Sequence, residues 1–154
     1  MAQLTDSVFA SAGQDGTLSL WKEQQKAPVL SAVAAHGWQE GAAAHAHAAT
    51  SNPRWISSLR AAPQSDLLAS GSCDGVLRLW KASAEVGGAA ALREVAQLEV
   101  AGFVNGIDLS VSPSRTALAV ATGSEHRLGR WWHLPGNRNK VIVFTLNQSL
   151  EDRD

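Results

Sequence analysis

The sequence predicts an all-β chain of about three four-stranded antiparallel sheets, arranged as blades of a β-propeller. Three observations predict it. FASAGQDGTLSLW at 9–21, LASGSCDGVLRLW at 68–80 and VATGSEHRLGRWW at 120–132 write nearly the same thirteen residues, each ending on a tryptophan. The terminal tryptophans Trp21, Trp80 and Trp132 stand 59 and then 52 residues apart, which fits a unit of about 40–45 residues carrying insertions. Each copy joins a short apolar run to a second alternating run through a tight turn on Asp-Gly or its substitute, the pattern of a β-hairpin.

Taken in order, residues 1–34 supply a partial blade, with its second to fourth strands near 8–12, 17–21 and 29–33. Residues 35–54, rich in Ala, Gly and His and closed by Asn52-Pro53, read as an inserted surface loop that lengthens the first spacing. Residues 55–100 hold the most complete blade, with strands from Trp55 to Arg60, Leu67 to Gly71, Val76 to Trp80 and, past Gly87-Gly88, Val95 to Val100. A divergent blade spans 101–146, with strands expected from Val104 to Leu109, Ala117 to Ala121, Leu128 to His133 and Val141 to Leu146. Its turns fall at Ser112-Pro113-Ser114 and Pro135-Gly136-Asn137, and 147–154 is a polar tail.

With 154 residues, 45% of them hydrophobic and 18% charged, the composition is globular. A ring of four to eight such blades needs roughly 180–360 residues, so the C-terminal part of a longer protein is expected, with blades from another chain completing the ring as the alternative. Residues 1–8 enter directly on a second-strand pattern, which predicts that the first blade lacks its innermost strand. The single cysteine, Cys73, excludes an internal disulfide framework and a multi-cysteine zinc site, and points to a reducing compartment. No charged start leads into an apolar stretch and no apolar run approaches 18 residues, so the reading is a soluble intracellular chain without signal peptide or membrane contact.

The repeats resemble WD40 units. In that family a Ser or Thr on the second strand, an Asp in the next turn, a Trp on the third strand and a His before the first strand lock each blade through buried hydrogen bonds. The matching sets are Ser11, Asp15 and Trp21; Ser70, Asp74 and Trp80; and Thr122, His126 and Trp132. Ser, His and Asp together suggest a hydrolase, but a triad needs one nucleophile held by one oriented base, whereas these groups recur in tandem. No catalysis, cofactor, metal or small-molecule substrate is therefore expected. His36 stands nineteen residues before Trp55, a separation that favours a plain loop histidine over the lock of the second blade. His45 and His47, two apart in AAAHAHAAT, are two ligands at most and make no metal site.

Charge is distributed unevenly. Residues 1–125 hold 8 basic and 11 acidic residues, whereas 126–140 hold 4 basic and none acidic, in a chain of net charge −1. Arg127, Arg130, Arg138 and Lys140 stand there beside Trp131, Trp132, His126 and His133, and guanidinium groups among aromatics suit a phosphate backbone or unstacked bases. The same residues also fit a bland role, with Arg130 on the polar face of a strand and Trp132 as the packing tryptophan.

GSEHRLGRWW at 123–132, GFVN at 102–105 and WISSL at 55–59 resemble the last blades of the U3 small nucleolar RNA-interacting WD40 proteins, over roughly residues 8–146 apart from the insertion. The resemblance implies a seven-bladed propeller in the nucleus, resident in the nucleolus. It also implies association with the box B/C region of U3 RNA and with processome proteins in early pre-ribosomal RNA processing. Glu125, His126, Arg127, Arg130 and Trp131 carry over as the family-specific cluster for RNA or partner binding, with Arg138 and Lys140 added by charge. The competing expectation is a generic WD40 scaffold that gathers proteins and has no nucleic-acid role.

Overall fold

Strands whose side chains alternate between two faces build the sheets. The computed structural model describes residues 1–39, 52–84, 89–112 and 115–146, except the side chains of Arg130 and Trp131. The insertion from 40 to 51, His45 and His47, the Gly87-Gly88 pair, Pro113-Ser114 and the tail from 147 lie outside the described residues. The first sheet runs in the order β1 (Ala2–Gln3), β2 (Val8–Ala12), β3 (Leu18–Lys22) and β4 (Leu30–Ala32), all antiparallel. Its innermost strand exists, against expectation: Ala2 pairs with Ala10 and Gln3 with Phe9. Two residues are too few for alternation to show in the sequence.

β5 (Trp38–Gln39) and β6 (Asn52–Pro53) form a two-residue ladder that closes the base of the insertion, Trp38 opposite Pro53. The second sheet follows with β7 (Ser58–Ala61), β8 (Leu67–Gly71), β9 (Val76–Ser83) and β10 (Ala91–Glu99), in spatial order β10-β9-β8-β7. Its Asp-Gly turn puts Gly75 at φ +82°, as the first puts Gly16 at +68°, a left-handed backbone that glycine adopts without strain. The aspartate ahead of each glycine caps that turn: Asp15 Oδ1 accepts the Thr17 N–H at 3.0 Å and Asp74 Oδ1 the Val76 N–H at 3.3 Å.

The third sheet departs from the expected strand order. β11 (Phe103–Ser112) pairs with β12 (Arg115–Gly123), then the chain makes a small separate hairpin of β13 (Glu125–His126) and β14 (Gly129–His133). β15 (Lys140–Leu146) then returns to pair directly with β12. The segment from Leu128 to His133, expected as the third strand, is thus not in the sheet. The reason is pairing: KVIVFTL alternates over seven residues, with Ile142, Phe144 and Leu146 packed on the core and Val141 and Val143 exposed. RLGRWW offers no such alternation.

Two cores lie between successive sheets, and the middle sheet serves both. Leu68, Trp80 and Ala82 pack towards the first sheet with Leu4, Leu18, Leu20 and Ile56. Ala69, Leu77 and Leu79, one position out of phase, pack towards the third with Val104, Leu118 and Val120. Residues 56 and 57 tie the three sheets together: the Ile56 N–H donates to Gly13 O at 3.1 Å, and the Ser57 hydroxyl to Val104 O at 2.7 Å. Among the described residues no helix is long and apolar enough to cross a membrane.

Candidate functional site

The middle blade holds a continuous hydrogen-bond chain. The Trp80 indole N–H donates to Ser70 Oγ at 2.8 Å, the Ser70 oxygen meets His36 Nε2 at 2.8 Å, and His36 Nδ1 meets Asp74 Oδ2 at 2.9 Å. Because the indole is a donor only, Ser70 is left to donate to Nε2, and the Nδ1–H to the carboxylate. Arg78 Nη2 completes the site at 3.2 Å from Asp74 Oδ2. Burial alone pushes the Asp74 carboxyl up, but the hydrogen bond from His36 and the Arg78 guanidinium outweigh it and hold the group below its ordinary value.

The expectation for His36 is therefore corrected: it is the histidine of this chain, at 0% exposure, and no plain loop residue. The β5–β6 ladder explains why nineteen residues of sequence mislead, since it brings the two ends of the insertion together. Ser70, His36 and Asp74 have the connectivity of a hydrolase triad, yet Ser70 is also at 0% exposure and its oxygen already takes the Trp80 N–H. This serine cannot meet a substrate.

The first blade repeats part of the arrangement, with the Trp21 indole N–H donating to Ser11 Oγ at 2.8 Å. The third does not. Trp80 pairs with Leu68 and Trp21 with Phe9, each two residues before its serine; the equivalent pair is Val120 with Ile142. Ile142 thus stands where the tryptophan was expected, and Trp132 is elsewhere. Ala35 and Val100 donate equivalent bonds to Gly16 O and Gly75 O, so Ala101 stands where His36 does. With neither indole nor imidazole to meet it, the buried Thr122 hydroxyl has no hydrogen-bond partner among the described residues.

In place of the lock, the chain leaves the third sheet after Gly123 and re-enters at Lys140, and Arg127, Arg130 and Arg138 lie on this excursion with Lys140 at its re-entry. Its base is closed by Leu134 N–H to Ser124 O at 2.8 Å and by Ser124 N–H to Asn139 Oδ1 at 3.3 Å. Its tip is held by Asn105, whose Nδ2 donates to Glu125 O at 2.9 Å while its Oδ1 accepts the Arg127 N–H at 3.0 Å. The Leu128 N–H donates to His126 Nδ1 at 3.1 Å.

Four rings anchor the hairpin. Trp55 meets His126 and Trp132 edge-on, with centroids 6.0 and 6.2 Å apart, and Phe103 meets the same two rings at 5.7 and 5.2 Å. His126 is buried rather than presented, Glu125 and Trp132 are half-buried, and Arg127, Arg138 and Lys140 are exposed. Among the described residues no ion pair takes those three cations. The side chains of Arg130 and Trp131 lie outside the description. Trp55, Phe103 and Asn105 were not singled out as site residues, although WISSL and GFVN contain them. Those two strings and GSEHRLGRWW, far apart in sequence, meet in this one cluster.

Burial, with Arg127 beside it, holds the His126 imidazole below its ordinary 6.5. The unfolded chain thus takes up a proton near pH 6.5 while the folded hairpin stays neutral to lower pH, so stability falls as pH drops below about 6.5. The melting temperature should decline from pH 7 towards 5.5, and His126→Gln should flatten that decline. The Asp74 contribution has its own window, being lost only as pH falls below about 3.8. An equal slope in wild type and variant would show that His126 is not the group responsible.

Four-stranded antiparallel sheets carrying this Trp–Ser–His–Asp chain define a WD40-repeat protein of β-propeller class, here with part of the ring. The family profile described as WD domain, G-beta repeat, matches residues 44–81. A WD repeat-containing protein of Schizosaccharomyces pombe, described as uncharacterized, is 34% identical over 95% of this chain and 30% of its own length. The Homo sapiens U3 small nucleolar RNA-interacting protein 2 is 32% identical over 94% of the chain and 28% of its own. The crystal structure of RRP9 WD40 repeats superposes with a TM-score of 0.78 at 31% identity, over 92% of this chain and 40% of that one. The chain is thus homologous over most of its length to the U3 small nucleolar RNA-interacting WD40 proteins, and spans less than a third of those curated relatives.

Proposed function

We propose that this chain belongs to a non-catalytic ribonucleoprotein subunit of the nucleolus, one that binds U3 small nucleolar RNA and processome proteins in pre-ribosomal RNA processing. The observation that carries the reading is the cationic excursion of residues 124–139, with Lys140 at its re-entry into the sheet. It replaces the third blade's lock, stands outside the sheet and presents Arg127 and Arg138 to solvent, next to the exposed Lys140 at the start of β15. Cations on and beside a segment that the sheet does not need for its own pairing suit contact with phosphates, which the relatives' names support.

Glutamine at Arg127, Arg130, Arg138 and Lys140 should lower recovery of U3 RNA, each lost phosphate contact reducing the salt slope of binding by about 0.7–0.9. The melting temperature should stay nearly unchanged, since Arg127, Arg138 and Lys140 are exposed and substitutions at such positions usually cost little. Unaltered RNA recovery with loss of a protein neighbour would make the hairpin a protein-docking surface and favour the generic scaffold.

A further inference from the structure

We infer that Asn105 is the positioning residue of the cationic hairpin, fixing the backbone that carries Arg127 and so setting RNA affinity without touching RNA. The inference rests on the RNA-binding reading above.

Asn105 is the extra residue of a β-bulge: pairing of β11 with β12 slips between Val104 and Gly106. A bulge re-aims one side chain out of the alternating pattern, and here the carboxamide turns towards the hairpin. It donates to the carbonyl of Glu125 and accepts the N–H of Arg127, so both polar ends are used on backbone groups one residue apart. The residue between them, His126, is itself pinned edge-on by Phe103 and Trp55. At the point where the chain leaves the sheet, a Cβ on Gly123 would come 2.9 Å from Asn105 Nδ2 and 3.0 Å from Asn139 Oδ1. Two carboxamides therefore crowd the exit, and a side chain at 123 would have to displace them from their hydrogen bonds. Arg127 is mounted on a backbone ordered before any ligand arrives, which spares the ordering cost of a free loop.

The test compares Asn105→Ala, Arg127→Gln and their combination, titrating each protein with in vitro transcribed U3 RNA at several salt concentrations. Hydrogen exchange is followed at the amides of Arg127 and Val104. Asn105→Ala should weaken binding about tenfold and lower the salt slope by about one, as Arg127→Gln does. The double variant should bind no worse than the weaker single one, and exchange should quicken at Arg127 alone. If Arg127→Gln weakens binding and Asn105→Ala does not, positioning by Asn105 is overturned while the RNA reading stands. If Val104 exchange quickens equally, the asparagine only supports the fold and the inference fails. If neither variant alters RNA binding, the RNA reading of the hairpin fails, and this inference with it.

Discussion

Replacing Trp80 with alanine should lower the free energy of unfolding by about 3–5 kcal/mol, a large share of the about 5–15 typical of a domain. Trp80 is only 6% exposed and fills the core between the first two sheets beside Leu68 and Ala82. Its indole N–H is also the first donor of the chain through Ser70 and His36 to Asp74. Trp80→Phe keeps most of the ring and removes that donor, so its smaller loss isolates the hydrogen bond, about 1–3 kcal/mol for a buried acceptor left short. Trp38→Ala is the matched control. That ring is 49% exposed opposite Pro53 on the short ladder, and its removal should stay within about 0.5 kcal/mol. Urea unfolding followed by circular dichroism reads all three, and equal losses at Trp38 and Trp80 would sink the assignment of the lock.

Gly71→Ala should be comparably damaging for the opposite reason. A Cβ on Gly71 would overlap Cβ and both methyls of Val104, so the second and third sheets touch there through backbone against valine. Val104 is fully buried and held by its N–H to Ser72 O at 3.0 Å, so neither side can yield without separating the sheets. Overpacking of this kind costs about 1–3 kcal/mol and sometimes more. The specific expectation is compensation: Val104→Ala in the Gly71→Ala background should recover part of the loss, although Val104→Ala alone destabilises. Additive losses in the thermal melts of the two single variants and the double would refute the contact.

Strand positions in the first two sheets were legible from local signals. Alternation and Asp-Gly turns place β2, β3, β8 and β9 close to their observed bounds. The third sheet was not legible in the same way, because its strand order is decided by long-range pairing. The tryptophan pair at 131–132 imitates the end of the repeat, while Ile142 takes the place opposite Val120. His36 was misjudged because sequence distance does not measure space once a ladder closes a loop. The basic cluster was visible as charge, but its mounting was not. Trp55 and Phe103 read as ordinary strand residues, and the turn of Asn105 out of register depends on a bulge that composition does not reveal.

The two-sided service of the middle sheet sets the order in which the molecule comes apart. In a row of stacked units each unit's persistence depends on its neighbours, and among the described residues the middle sheet packs on two others and each flanking sheet on one. Amides of β8 and β9 should open only with the whole array, and those of β4 and β15 in smaller excursions. Fraying of the isolated 154-residue chain should thus start at the flanks and travel inward. The excursion that carries the cations hangs from a flank sheet, so its mounting can loosen while the lock of the middle blade is still intact.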